Sequence, residues 1–575
     1  MKPNLFQSEQ FRICPETVRA ASSRLLREDY APRGPKLGLT AGMLRRESLR
    51  RFHDVWAFNY SKHDDPRECK AAIKNFWDDW KSEEVPEEEV IDAIRRVPVH
   101  YAYTSFYIQS GGANANSGST NSNSPVWSNT VSWTGGVGGG GNDTFVVTDA
   151  AASVIAVGDW INIGGSWVSQ VTGVSNVGSV YTIVMSTTAA YGTEPATNAS
   201  IAAKDGGAWA DFTTPAAFGA TAVPGSTQIN VKAATYTLAG ALTLQIIGTG
   251  PKPIWFRGYN TTIGDLEPGN VNFVAGNNSS GGLSYPTISS GSNAVTINND
   301  GNWLVTAISF SGSRNGLMIQ FGASSGHGSY YRCRFANSNS GASNGIASTT
   351  NTSPKPRFTS CYFSSPGTAS YMFNDTNGPA TKFYDCYFKG DHSGSAQTAV
   401  TTSSTGGASF SYCTFDTIGG IGIALAWTNP STIDHCTFNN CGSDSIKISV
   451  FPTDGGYVTN CAFFLSGGYD INNASGAAST LMFLANNLSY SPTSGHLTGF
   501  GDWAELNPLV DMTDPRVSST DLHLIPSSAG ANAGLPGQWE NLTAGLNSQP
   551  DVGAWQRNAS LPIGKIAGAR SIGTY

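Results

Sequence analysis

Three tyrosines, Tyr362, Tyr387 and Tyr412, follow one another at intervals of 25 residues, with Asp385, Asp416, Asp434 and His435 close by in the chain. Tyrosine rings are planar and amphipathic, suited to stacking on sugar rings, so this row is a candidate for glycan binding. Glycoside hydrolysis needs two carboxyls, about 5–5.5 Å apart for retention of configuration or about 6.5–9.5 Å for inversion. Asp385 paired with Asp416 or Asp434, with His435 nearby, is a weak catalytic candidate if one structural repeat separates them. The competing explanation is that exterior Tyr and Asp are solvated surface or subunit contact. The remaining acids of this stretch, Asp375, Asp391, Asp444, Asp454 and Asp470, fall mainly in turns and none stands out.

What positions these residues is an internal repeat of the form apolar-x-x-Cys-x-aromatic. It reads Tyr330, Cys333, Phe335; Phe358, Cys361, Phe363; Phe383, Cys386, Phe388; Phe410, Cys413, Phe415; Ile433, Cys436, Phe438; and Val458, Cys461, Phe463. Weaker copies flank these at Ile308 and Asn486, and the steps along the Cys slot are 25, 28, 25, 27, 23, 25 and 25 residues. Self-similarity at a fixed period is the signature of stacked architectures. A coil of that length holds three short strands and three turns, stacked at about 4.8 Å on the next coil. The fold class predicted is mainly β: a right-handed parallel β-helix from about Asp205 onward.

Alternation along a strand points the Cys and the aromatic two residues later to the same inward face. Cys333, Cys361, Cys386, Cys413, Cys436 and Cys461 then form a structural ladder of small buried apolar groups. No Cys-x-x-Cys spacing or histidine cluster accompanies them, so neither disulfides nor a metal is expected, and no cofactor. The same alternation predicts that the residues before and after each Cys share one exterior face. Those before are Arg332, Ser360, Asp385, Tyr412, His435 and Asn460, and those after are Arg334, Tyr362, Tyr387, Thr414, Thr437 and Ala462.

With these motifs the chain resembles the pectate-lyase-like superfamily of right-handed β-helix proteins. Gly206-Gly207-Ala208-Trp209, Pro224-Gly225-Ser226-Thr227 and Val231 to Tyr236 look like the opening coil of such domains, and Phe106 to Gly118 like the lead-in. Asp521 to Leu524, Asn532-Ala533-Gly534 and Asp551 to Trp555 look like a closing segment. The resemblance covers about two thirds of the chain and specifies fold far better than function. Pectate lyases proper use a cluster of calcium-binding acids with an arginine base, whereas Arg332 and Arg334 lie in a coil without nearby acids. Lyase activity is therefore not expected.

Charge divides the chain. Residues 1–97 hold 18 of the 34 Lys/Arg and 17 of the 41 Asp/Glu. Within them, 1–51 carry 11 basic against 5 acidic residues and 52–97 carry 7 against 12. Helix starts at Thr40, Asp65-Pro66 and Pro86, followed by apolar residues three and four apart, predict a helical module with Trp56, Trp77 and Trp80 in its core. The domains expected are a charged anchoring module over 1–97, a linker and lead-in over 98–124, and a small β-barrel or sandwich insertion over 125–204. The β-helix then occupies 205–505 and a closing segment 506–575.

A charged helical module ahead of a long β-helix resembles bacteriophage tailspikes and related virion appendages. That resemblance implies a homotrimer that docks on other virion proteins through residues 1–97 and turns its β-helix toward host-surface polysaccharide. A depolymerase on the same scaffold and a structural decoration or collar subunit are the alternatives. The first sixteen residues lack the apolar stretch of a signal peptide and no run approaches the roughly 20 apolar residues of a membrane span. Folding in a host cytoplasm and no membrane insertion are expected. A formal net charge of −7 argues against nucleic acid as the partner.

Overall fold

In the computed structural model the described residues lie between Thr104 and Ala533, short segments excepted, with Gly553 beyond them. The helical module expected over 1–97, and most of 534–575, lie outside the described residues.

The chain winds through three parallel sheets in turn. Sheet 1 has 11 strands, beginning with Thr104–Ile108 and ending with Met482–Ala485; sheet 2 has 11, from Thr235–Thr237 to Leu509–Val510; sheet 3 has 10, from Leu242–Leu244 to Gly495–Thr498. Each strand pairs in parallel with its counterpart in the next coil, as in Phe358↔Phe383↔Phe410 on sheet 1 and Phe363↔Phe388↔Phe415 on sheet 2. Parallel strands joined by crossovers in one sheet take the right-handed sense, because strand twist packs the connection back only that way. The fold is a right-handed parallel β-helix.

Identical residues at each step place identical side chains above one another. Phe310, Phe335, Phe363, Phe388, Phe415, Phe438 and Phe463 form one interior stack with neighbouring ring centroids 4.7–5.3 Å apart. Tyr330, Phe358, Phe383 and Phe410 form a second on the sheet 1 side. The six repeat cysteines and Cys441 are buried free thiols. The amides of Tyr362, Tyr387 and Thr414 donate to the carbonyls of Cys333, Cys361 and Cys386, so the cysteines stand in one vertical row.

Strand Thr104–Ile108 pairs directly with Thr227–Lys232, which makes it the first rung of sheet 1. Between these two rungs six antiparallel strands, spanning Pro125 to Gly206, close into a barrel around Trp127, Trp133, Phe145, Trp167 and Ile183. The barrel and the β-helix share apolar contacts: Phe106 packs against Trp160 of the barrel and stacks on Trp209.

Candidate functional site

One residue turns the chain from sheet 1 to sheet 2 in each coil, and it takes left-handed backbone. Arg332, Ser360, Asp385, Tyr412, His435 and Asn460 have φ of 49–56°. Outside glycine such angles are uncommon and cost about 1–2 kcal/mol. Here the amide of each donates to the carbonyl of the residue before the corresponding corner in the next coil, as Asp385 does to Ser411 at 2.9 Å and Tyr412 to Asp434 at 3.1 Å, so the ladder continues through the bend. This corner corrects the expectation that the residues before and after each Cys share an exterior face. Alternation stops at the bend, and the Cys lies in the connection just before the sheet 2 strand rather than within a strand.

The corner residues form their own row. Tyr412 and His435 are buried, and their rings stack at 5.0 Å. Ser360 Oγ donates to Asp385 Oδ2 at 2.7 Å. Asp434, at the end of a sheet 1 strand, faces His435 Nδ1 at 3.0 Å and accepts from Thr459 Oγ1 at 2.7 Å and Asn460 Nδ2 at 2.9 Å. Burial alone would raise the Asp434 carboxyl; the facing histidine and these donors outweigh it and hold the pKa below the usual value.

Tyr362 and Tyr387 belong elsewhere, on the outer face of sheet 2. There Arg334, Tyr362, Tyr387, Thr414 and Thr437 follow in register, beside a second column of Ser364, Lys389, Asp416 and Asn439. The Tyr362 and Tyr387 rings lie 5.7 Å apart and nearly parallel at 8°, so each gives one face to the other. Asp416 gathers this face together. Its Oδ2 accepts from the Tyr387 hydroxyl and from Lys389 Nζ, both at 2.5 Å, and its Oδ1 from Asn439 Nδ2 and Thr417 Oγ1 at 2.8 Å. Burial works to raise the Asp416 carboxyl, but the Lys389 and Tyr387 hydrogen bonds and the Lys389 charge bring it below its ordinary value. Burial and the Asp416 charge both push the Tyr387 hydroxyl up, so it stays protonated and donating.

The strip has two ends. Arg334 lies over the Tyr285 ring at 4.1 Å at one of them. At the other, Arg516 Nη1 donates to Asn439 Oδ1 at 2.6 Å, and Gly553 sits against Thr437 and Ala462. A Cβ on Gly553 would come within 2.8 Å of Thr437 Oγ1, and its φ of +95° also requires glycine. From Arg334 to Thr437 the strip crosses four strand spacings, about 19 Å.

Of the residues singled out in sequence, Tyr362, Tyr387 and Asp416 share this face. Tyr412, Asp385 and His435 line the corner row, with Asp434 next to them. Asp385 and Asp434 are two coils apart, about 10 Å at two strand spacings. Asp416 is on a different sheet from Asp434, and both carboxylates are already held by the neighbours named above. Among the described residues no group of three or more His, Cys, Asp or Glu is placed to hold a metal.

One cluster escaped the sequence reading. His496 on sheet 3 places Nδ1 2.8 Å from Asp470 Oδ2 and Nε2 2.7 Å from Glu505 Oε2. Ser466 and Ser489 donate to Asp470, and the Asn487 amide donates to Glu505 Oε1 at 2.8 Å. Burial alone would lower the pKa of His496; the two carboxylates outweigh it and raise it to about 9. The available signal was the step of 26 residues from Asp470 to His496, one coil, which has no cysteine to mark it.

The chain is thus a parallel β-helix protein with an inserted six-stranded barrel. No family model matches it, and neither does any curated protein. Among solved structures it is similar to a pectate lyase, with 14% identity over 58% of this chain and 89% of that one and a TM-score of 0.34. It is also similar to the catalytic unit of a thermostable α-1,3-glucanase from Streptomyces thermodiastaticus, with 10% identity over 67% and 84% and a TM-score of 0.29. Tailspike protein 3 of bacteriophage CBA120 follows, with 12% identity over 49% and 56% and a TM-score of 0.20.

Proposed function

We propose that this chain is a receptor-binding protein of a bacteriophage particle, a homotrimer that grips host-surface polysaccharide along the outer face of sheet 2. Residues 1–97 dock it to other virion proteins. The observation that carries the binding reading is the strip of Arg334, Tyr362, Tyr387, Lys389 and Asp416, held in register on adjacent coils. A parallel sheet spaces its side chains at a constant 4.8 Å or so, which gives an extended chain of sugars repeated hydrogen-bonding and edge contacts. Lys389, with its side chain 39% exposed, and the half-buried Tyr362 are the groups within reach of a ligand. The concentration of charge in 1–97 supports the docking reading.

Polysaccharide extracted from host cells is titrated against the chain and against the variants Tyr362→Ala and Lys389→Ala. Each variant should bind at least tenfold more weakly, about 1.4 kcal/mol. Affinity unchanged in both would remove the sheet 2 face from the proposal. Reducing ends released by the unmodified chain would move it to the depolymerase class, and neither binding nor cleavage would leave a structural collar role. Removing residues 1–97 should abolish incorporation into particles while the β-helix stays folded; a shortened chain that still assembles refutes the docking proposal.

A further inference from the structure

The outer face of sheet 1 takes no part in the sheet 2 strip. Phe358, Phe383, Phe410, Ile433, Val458 and Leu484 point inward and are at most 2% exposed, so the residues on either side of each point out. In register, one outward column reads Arg357, Lys382, Ser409, Thr432, Tyr457 and Phe483. Its chemistry changes along the solenoid. Arg357 and Lys382 are exposed cations on adjacent strands, one strand spacing or about 4.8 Å apart. Ser409 and Thr432 follow as half-buried hydroxyls. Tyr457 and Phe483 end the column, exposed at 53% and 38%, with ring centroids 6.3 Å apart and planes inclined at 63°.

We propose that this column is a binding track for an acidic polysaccharide. A carboxylate of a uronate chain sits between Arg357 and Lys382, and the sugars that follow pass over Ser409 and Thr432 to stack on Tyr457 and Phe483. Like charges directly opposite on neighbouring strands repel, and an anion bridging the guanidinium and the ammonium relieves this through charge-assisted hydrogen bonds. The carboxylates beside the column are already engaged, Asp385 by Ser360 Oγ and Asp434 by Thr459 and Asn460. Exposed rings offer apolar faces to the CH face of a sugar, as the tyrosine hydroxyl does a hydrogen bond to its rim. Lys382 and Tyr457 are three strand spacings apart, about 14 Å, so a ligand touching both is an extended chain. A second copy of this protein fits less well. In a ring of copies about an axis parallel to the solenoid, each coil faces the same coil of its neighbour. The outward strand residues of sheets 2 and 3 at the level of Arg357 and Lys382 include Tyr362, Ser364, Tyr387, Lys389, Asn374 and Thr401, with no carboxylate among them. The track lies on a different sheet from Tyr362 and Lys389 and does not depend on binding there.

The probe is alginate, a chain of uronic acids, titrated against the full chain beside alginate whose carboxyls have been reduced to alcohols. Alginate should bind saturably and more weakly as salt is added, and the reduced polymer should bind about fivefold or more weakly still. R357Q/K382Q, which removes both charges from exposed positions, and Tyr457→Ala, which removes an exposed ring, should each weaken alginate binding about fivefold. The two variants act at opposite ends of the column, so a folding defect in one leaves the other as the test. Equal binding of alginate and its reduced form overturns the proposal, as does alginate binding that neither variant weakens. Unchanged alginate binding by Tyr457→Ala, with a shift to smaller species in sedimentation, overturns it in favour of a neighbouring copy. None of these results bears on the sheet 2 strip, which is decided by the host polysaccharide and Tyr362→Ala.

Discussion

Replacing Phe415 by leucine tests whether the interior phenylalanines act as a ladder or merely as bulk. Phe415 is fully buried, with Phe388 4.8 Å away at 2° on one side and Phe438 4.7 Å away at 6° on the other. Phe310 begins the column: it stacks on Phe335 at 5.3 Å, but its register partner on the other side is Ile288. Leucine keeps most of the buried apolar volume in both places, which limits the packing cost to less than about 1.5 kcal/mol. Each stacked pair adds about 0.5–1.5 kcal/mol beyond its area. Phe415→Leu therefore forfeits about 1–3 kcal/mol of stacking and Phe310→Leu about half as much. A solenoid is stabilised by nearest-neighbour terms, so the loss is local, and amide hydrogen exchange on peptides covering Thr414–Asp416 and Ser309–Gly312 is the appropriate assay. Exchange should accelerate about 5- to 150-fold at the first site and about 2- to 13-fold at the second. Equal acceleration in the two variants would refute the ladder.

Asp416→Asn should cost about 1–3 kcal/mol, because Lys389 loses its counter-charge while Tyr387 and Thr417 lose an anionic acceptor. The folded carboxyl lies below its ordinary value, so its contribution is present above that ordinary value and is lost as pH falls through the lower folded one; denaturation midpoints of the two chains should converge in acid. His496 behaves in the opposite sense. Raised to about 9, it contributes about 3 kcal/mol that is fully present below about pH 6.5 and gone once pH passes about 9. Exchange protection in Gly495–Thr498 should fall across that window in the unmodified chain, and should already be low and flat with pH in His496→Gln. All six ladder thiols are buried out of contact with solvent, so a thiol reagent should leave the ladder untouched in the folded chain and titrate it only on unfolding. Reaction of the ladder cysteines in the native state would contradict their burial.

The coil and its inward columns were legible because Cys and Phe recur where the interior leaves little choice: a small group just after the bend, then a flat ring that stacks on its own kind. The left-handed corner was not. Six different residues, Arg332, Ser360, Asp385, Tyr412, His435 and Asn460, occupy it, and none is the glycine that announces a positive φ in sequence. Without that signal an unbroken alternation was the natural reading, and it turned buried corner residues into exterior ones. The Asp470–His496–Glu505 cluster was hidden for a different reason. Ser489 stands where the column would hold another phenylalanine, and the polar group that it makes room for comes from another sheet.

The same constancy argues for sheet 2 as the functional face. Between the start of a sheet 1 strand and the end of the following sheet 2 strand the spacing hardly changes: Arg357 to Ser364, Lys382 to Lys389 and Ser409 to Asp416 are each eight residues. The variation in coil length falls beyond that unit, where the sheet 3 strand starts 8 residues after Cys413 and Cys461 but 12 after Cys386. Outer residues of sheet 2 are therefore carried on backbone that the corner and the Phe column fix on both sides. A substitution at Tyr362 or Lys389 changes what the face offers a ligand while the sheet backbone stays in place, whereas one that removes the Tyr412 or His435 ring disturbs the corner that aligns the sheets. If binding tracks Tyr362 and Lys389 while Tyr412→Phe leaves it unchanged, the division between a variable face and a fixed corner holds.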